Sequence, residues 1–176
     1  CGRVGSFVVE QPLGLGPAAA GTIVGVGEGV DPSRIGERVS IEPQRPDPNS
    51  KETRRGHYNL CPHMRFYATP PVDGALCDYV TIGAGYAHRV PDSVSDDAAA
   101  LCEPLSVGIA AVRKAGLDGG SRVLITGAGP IGIVLAQLAR AYGAPDIEVS
   151  DPDESRRKQA LTFGSTAGPG PTVQPI

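Results

Sequence analysis

The residues best suited to chemistry in this chain are the glycines of Gly127-Ala128-Gly129-Pro130-Ile131-Gly132 and an acid, Asp151, that follows them. An apolar run, Val123-Leu124-Ile125, leads into the turn, and an apolar helical pattern leaves it. In such a G-x-G-x-x-G turn the first glycine permits the sharp bend and the second lets a pyrophosphate approach the backbone. The third lets the helix pack close to the strand, which places the phosphates at the helix N-terminus. Pro130 suits the first helical position, where its missing N–H costs nothing. Asp151 ends the next expected strand, about 20 residues beyond the turn, where a carboxylate accepts both ribose hydroxyls. A carboxylate there repels a 2′-phosphate, so NAD is favoured over NADP. Arg156 and Arg157 oppose that preference, because a nearby arginine can accommodate a 2′-phosphate. The plainer reading of the same residues is a strand–helix turn with Asp151 as a helix cap.

Those residues need elements to hold them. The pattern predicts a strand over Arg122–Thr126, a helix over Pro130–Tyr142 stopped by Gly143, and a strand over Ile147–Ser150. A helix from Pro152 to near Gly164 completes one β-α-β unit and its following helix. Upstream, Ser95-Asp96-Asp97 can cap a helix beginning at Ala98, and Pro104 opens a second helix that runs to Ala115 before Gly116. Before about Val90 the chain reads as strands and turns, with strands at Phe7-Val8-Val9, Gly21–Gly27, Arg38–Ile41 and Ala75–Ile82. Glycine inside these runs suggests the bends of a small barrel-like sheet. Residues 43–71 form a polar excursion loop between them. The tail from Gly168 reads as an extended end.

With 176 residues the chain can bury a real core, and 24 glycines with 17 prolines favour turns and Gly-rich loops over a helical bundle. A net charge of −3, with both signs dispersed, leaves no basic footprint for nucleic acid. No apolar run reaches the ~18 to 20 residues of a membrane span. Cys1, Cys61, Cys77 and Cys102 show no C-x-x-C pairing, so reduced thiols in a cytoplasmic protein are expected. Cys77 and Cys102 read as buried packing thiols. The chain opens without Met and without an export leader, and further chain is expected beyond it.

Five ordered strings carry a family resemblance: Arg38-Val39-Ser40-Ile41-Glu42-Pro43, Gly56-His57-Tyr58-Asn59-Leu60-Cys61-Pro62, Ala68-Thr69-Pro70-Pro71-x-Asp73-Gly74, Leu101-Cys102-Glu103-Pro104-Leu105-Ser106-Val107-Gly108, and Gly127 to Gly132. From about Arg3 to Gly164 the chain resembles the medium-chain dehydrogenase/reductase family, in its zinc-type sorbitol (polyol, L-iditol) dehydrogenase branch. The resemblance implies an α/β fold with a β-rich part. A partial GroES-like catalytic domain, residues 1–100, would precede the first half of a Rossmann NAD-binding domain, residues 101–176. It implies a polyol or secondary-alcohol substrate, NAD, a catalytic zinc that lowers the substrate hydroxyl's pKa, and a homo-oligomer, dimer or tetramer. Ile131, Asp151 and Arg156 match the family's NAD-contacting positions. Cys1 matches its thiolate zinc ligand, and Glu103 matches a catalytic glutamate near the metal. The plainer, less favoured reading of Glu103 is an acid placed at a helix N-terminus by the dipole.

The resemblance breaks at one string. Where the family has Gly-His-Glu-Ala-Ala-Gly, this chain has Gly16-Pro17-Ala18-Ala19-Ala20-Gly21, so two metal-site positions carry no donor. A catalytic zinc takes three protein ligands and a water. With Cys61 alone in the excursion loop, no structural zinc is expected. Cys1-Gly2 also passes directly to Arg3-Val4-Gly5 without the family's Ser-Asp continuation. Two further accounts stand beside the enzyme: a truncated, metal-site-deficient relative that binds only a nucleotide or a partner subunit, and a zinc-independent quinone reductase. Asp151 and Glu103 argue against the last.

Overall fold

The computed structural model describes residues 3–4 and 7–168, and the chain divides into two compact units, Cys1–Glu103 and Pro104–Ile176. The first unit is β-rich. Strands β1 (Arg3–Val4) and β2 (Phe7–Val8) pair as an antiparallel ribbon, Arg3 opposite Val8. Strands β3 (Ala19–Thr22) and β4 (Arg38–Ile41) then pair antiparallel, with Ala19 opposite Ile41. The hairpin of β5 (Gln44–Arg45) and β6 (Arg65–Phe66) encloses the short helix α1 (Lys51–Arg54). Strand β7 (Ala87–Arg89) joins the far side of β4, giving the sheet order β3-β4-β7. Helix α2 (Asp96–Ala100) is capped by Ser95, whose hydroxyl accepts from the Ala98 N–H. It is tied to the sheet by the Ser40 hydroxyl, which donates to the Ala99 carbonyl at 2.8 Å. Ile41, Tyr67 and Val72 form the core of this unit, with Val80 and Ile82 packed on them.

Helix α3 (Cys102–Ala115) ends at Gly116, whose φ of +64° makes the left-handed stop that glycine allows. Strand β8 (Arg122–Thr126) leads to helix α4 (Pro130–Ala141). Strand β9 (Asp146–Ser150) pairs parallel to β8 in the register Arg122 to Asp146 through Thr126 to Ser150. Helix α5 (Glu154–Thr162) follows, and a parallel bridge from Glu148 to Ala167 starts the next position in the sheet. Ile147 and Val149 are fully buried, and burial on this scale stabilises by about 2 kcal/mol per side chain. Ala136, Ala139 and Ala160 complete the core of the unit. The small side chains let the helices lie close to the strands.

The second unit matches the sequence expectation within a residue or two for β8, α4 and β9. Its last helix begins at Glu154, because the Asp153 carboxylate caps it by accepting from Ser155 and Arg156 N–H. The first unit departs further. The apolar alternation of residues 75–82 forms no strand among the described residues. Val80 and Ile82 face the core while Leu76 and Tyr79 are exposed. The N–H groups of Gly74, Ala75 and Leu76 donate to Gly14, Gly16 and Leu15 carbonyls instead of a strand ladder. Side-chain alternation is local, whereas a ladder needs a partner strand. The strand expected over Gly21–Gly27 is Ala19–Thr22. The excursion loop carries β5, α1 and β6 rather than irregular chain alone. The tail beyond Gly168 lies outside the described residues.

Candidate functional site

The glycine turn sits between the C-terminal end of β8 and the N-terminus of α4. Gly127 has φ +98°, which disfavours any side chain, and its N–H donates to the Ser150 carbonyl at 2.7 Å. Gly129 is the N-cap of α4 and Pro130 its first residue. No side chain caps this helix, so the Ile131 and Gly132 N–H groups stand in its first turn without a capping acceptor. A Cβ on Gly132 would collide with the Gly127 carbonyl oxygen. The turn closes only with glycine at that place. Ile131 is partly exposed beside it.

Asp151 lies at the end of β9 and is only 5% exposed. One carboxylate oxygen accepts from the Ala128 N–H at 2.8 Å, and the other accepts from the Asp153 N–H at 2.8 Å. Those two hydrogen bonds, Ala128 first, hold its carboxyl below the usual carboxylate range against the opposing effect of burial; the Arg156 charge adds to them. Arg156 itself is exposed. The Arg157 guanidinium donates to the Asp151 and Pro152 carbonyls, so of the two arginines only Arg156 presents its charge outward. The structure therefore gathers Gly127, Gly129, Pro130, Ile131, Gly132 and Asp151 into one place. The Ala128 amide had no sequence signal, because every residue carries one; only the fold aims it.

Glu103 lies in the first turn of α3 and is half-buried. Burial pushes its carboxyl up, toward the protonated form. Cys1 lies outside the described residues. Pro17 and Ala18 immediately precede β3, partly buried. Among the described residues no group of three or more His, Cys, Asp or Glu side chains is arranged to hold a metal ion. The donor chemistry does not fit a catalytic zinc: two of the positions that would supply ligands are a proline and an alanine. Cys77 and Cys102 are exposed, contrary to the expectation of buried thiols, and Cys61 is the buried one. Cys77 follows a segment without a strand ladder, and Cys102 faces outward at the start of α3. Burial pushes the Cys61 thiol up, but hydrogen bonds from Ser50 and the Asp47 N–H, the latter at 3.3 Å, outweigh it and lower its pKa.

A second polar cluster lies in the β-rich unit. His88 on β7 meets a Glu42 carboxylate oxygen at 2.9 Å, and the Gln44 amide donates to the other oxygen. Burial raises the Glu42 carboxyl, but hydrogen bonds from His88, Gln44 and Tyr58 together hold it below the usual range. His57 and His63 are exposed in the excursion loop. A cavity of about 670 Å³ in this unit is lined mainly by apolar residues such as Val24, Val39, Ile41 and Ile82.

A β-rich unit followed by a strand–glycine turn–helix–strand unit defines a class: a GroES-like domain leading into a dinucleotide-binding Rossmann domain. The alcohol dehydrogenase GroES-like domain family matches residues 2–92. The chain belongs to the medium-chain alcohol dehydrogenase family. It is 46% identical over 164 residues to sorbitol dehydrogenase of Gallus gallus, covering 93% of this chain and 46% of that protein. The chain thus spans about half the length of the curated relatives it matches. Among solved structures it is similar to L-idonate 5-dehydrogenase of Escherichia coli, with a TM-score of 0.85, 28% identity, and coverage of 99% of this chain and 51% of that one. It is also similar to an Escherichia coli alcohol dehydrogenase complexed with NADH, with a TM-score of 0.82, 27% identity, and coverage of 89% and 46%. Among the described residues no helix is long and apolar enough to cross a membrane.

Proposed function

We propose that this chain supplies the NAD site and part of the catalytic domain of a polyol dehydrogenase, which moves a hydride from a polyol or secondary alcohol to NAD and leaves a ketose or ketone. The observation that carries the reading is the glycine turn with Asp151 beside it. The residues present fit a dinucleotide. Gly129 has open space beside it for close approach of a pyrophosphate, and Gly132 lets the turn close on Gly127. The Ile131 and Gly132 N–H groups open α4, and Asp151 offers a carboxylate at the strand end. Bound NAD supplies the hydride acceptor. On the protein side, Gly127, Gly129, Pro130, Ile131 and Gly132 cradle the pyrophosphate, Asp151 takes the adenosine ribose, and Arg156 lies at the outer rim. Glu103, whose burial favours a proton on its carboxyl, is the group proposed to act on the substrate side.

On this reading residues 1–100 are a partial GroES-like catalytic domain, residues 101–176 open the nucleotide domain, and the assembly is a homo-oligomer. Cys1 and Glu103 are the remaining metal-site positions. Two donors fall short of the three ligands and a water that a catalytic zinc takes. The experiment is direct: NAD and NADP binding to the chain and to Asp151→Ala, with NADH formation followed on sorbitol and related polyols. NAD binds more tightly than NADP, and the substitution removes more NAD affinity, by about tenfold or more, because it deletes ribose contacts and relieves phosphate repulsion. Equal loss for both cofactors removes the ribose role from Asp151. Nucleotide binding without turnover favours the metal-site-deficient relative.

A further inference from the structure

Asp151 does something in this structure that ribose recognition does not require. Both its carboxylate oxygens are occupied by backbone N–H groups, one from Ala128 in the glycine turn and one from Asp153 at the start of α5. Asp151 as a residue is only 5% exposed, and Ala128 is buried with it at 3%. Around it, Gly127 N–H holds the Ser150 carbonyl, Arg157 holds the Asp151 carbonyl, and Asp153 caps α5. The end of β9, the turn after β8 and the first turn of α5 all meet at this one side chain.

We propose that Asp151 is a positioning residue for the glycine turn: its carboxylate holds the Ala128 N–H and fixes the phosphate cradle before any nucleotide arrives. An ionised carboxylate offers about four lone-pair sites. The two amides take two, and the two ribose hydroxyls match the two that remain, so the staple and the ribose contact do not compete. One side chain then links ribose recognition to the shape of the phosphate site. A buried, charge-assisted hydrogen bond of this kind is among the stronger ones a turn can have. Removing it leaves the Ala128 N–H buried without a partner. The charged groups near the carboxylate are Arg156, which favours its ionised form, Asp153, which opposes it, and Arg157, whose guanidinium is held on the Asp151 and Pro152 carbonyls.

This inference rests on the nucleotide reading of the turn, and two arms of the test separate them. In the first arm, amide resonances of the nucleotide-free full chain are followed as pH falls. The Ala128 and Asp153 amides shift together with one midpoint, below the ordinary carboxylate range, and the shared transition disappears in Asp151→Asn. Amides that titrate independently, or not at all, overturn the proposal. In the second arm, ADP and its 2′,3′-dideoxy analogue are titrated into the wild-type chain, Asp151→Asn and Asp151→Ala. The dideoxy analogue has no hydroxyl for Asp151 to accept, yet its affinity falls by about tenfold in Asp151→Ala. It falls less in Asp151→Asn, whose single carbonyl oxygen can still accept from Ala128. An unchanged dideoxy affinity shows that Asp151 acts through the ribose alone and overturns the staple. Should Asp151→Ala fail to fold, Asp151→Asn carries the same comparison. A wild-type chain that binds neither nucleotide defeats the nucleotide reading, and the amide titration then decides the staple by itself.

Discussion

Gly127–Gly132 and Gly16–Gly21 are both six-residue segments that begin and end in glycine; the first follows β8 and the second runs into β3. Each opens on a glycine with positive φ, +98° at Gly127 and +81° at Gly16. Their chemistry is stored differently. The first works through backbone N–H groups and needs from its side chains only that they be small where Gly132 meets Gly127. The second, in the family this chain resembles, works through two metal-binding side chains, and here those positions are Pro17 and Ala18. A site written in the backbone survives any substitution that keeps the turn closed. One written in side chains is emptied by two replacements that leave the strand beside it intact, and β3 still pairs with β4 in full register.

The contrast can be broken most sharply at Gly132. Gly132→Ala puts a methyl group against the Gly127 carbonyl oxygen, backbone that cannot swing aside. Such overpacking costs on the order of 3 kcal/mol. Urea unfolding should show that loss, and calorimetric titration should show nucleotide affinity reduced by about a hundredfold or more. Retained affinity would mean that the turn does not depend on close backbone approach. The opposite manoeuvre, Pro17→His with Ala18→Glu, adds two donors, which with Cys1 reach the count of a catalytic zinc site. Metal analysis should find stoichiometric zinc in the double variant and none in the parent. Failure to gain zinc would place the defect elsewhere than these two side chains. The smallest effect is expected at Ser95, a feature also written in a side chain: Ser95→Ala removes the acceptor for the Ala98 N–H. Thermal or urea unfolding should register a loss of about 1 kcal/mol, with nucleotide affinity unchanged.

The same distinction explains what was legible in advance. β8, α4 and β9 could be placed almost to the residue, because apolar periodicity, Pro130 at a helix start and Gly143 at a helix end are local signals. The β-rich unit was harder to read. Val80 and Ile82 of the segment 75–82 pack on its core while Leu76 and Tyr79 are exposed, and the amides of Ala75 and Leu76 bond to residues 15 and 16 instead of a partner strand. Likewise, β5 and β6 pair across 19 intervening residues, mostly polar, that show no strand period. The exposure of Cys77 and Cys102 has a related cause, since apolar character says that a thiol can be buried but not that a neighbour covers it.

By itself the sequence determined the glycine turn, the family, the acid at position 151 and the absence of donors at positions 17 and 18, all of which are matters of residue type and spacing. Only the tertiary structure decided that Asp151 grips the Ala128 amide, that Arg157 is turned to backbone carbonyls while Arg156 faces out, and that Cys61 rather than Cys77 is enclosed. The reason is physical. A residue's type sets which hydrogen bonds it can make, and the fold sets which partner comes within 3 Å of it.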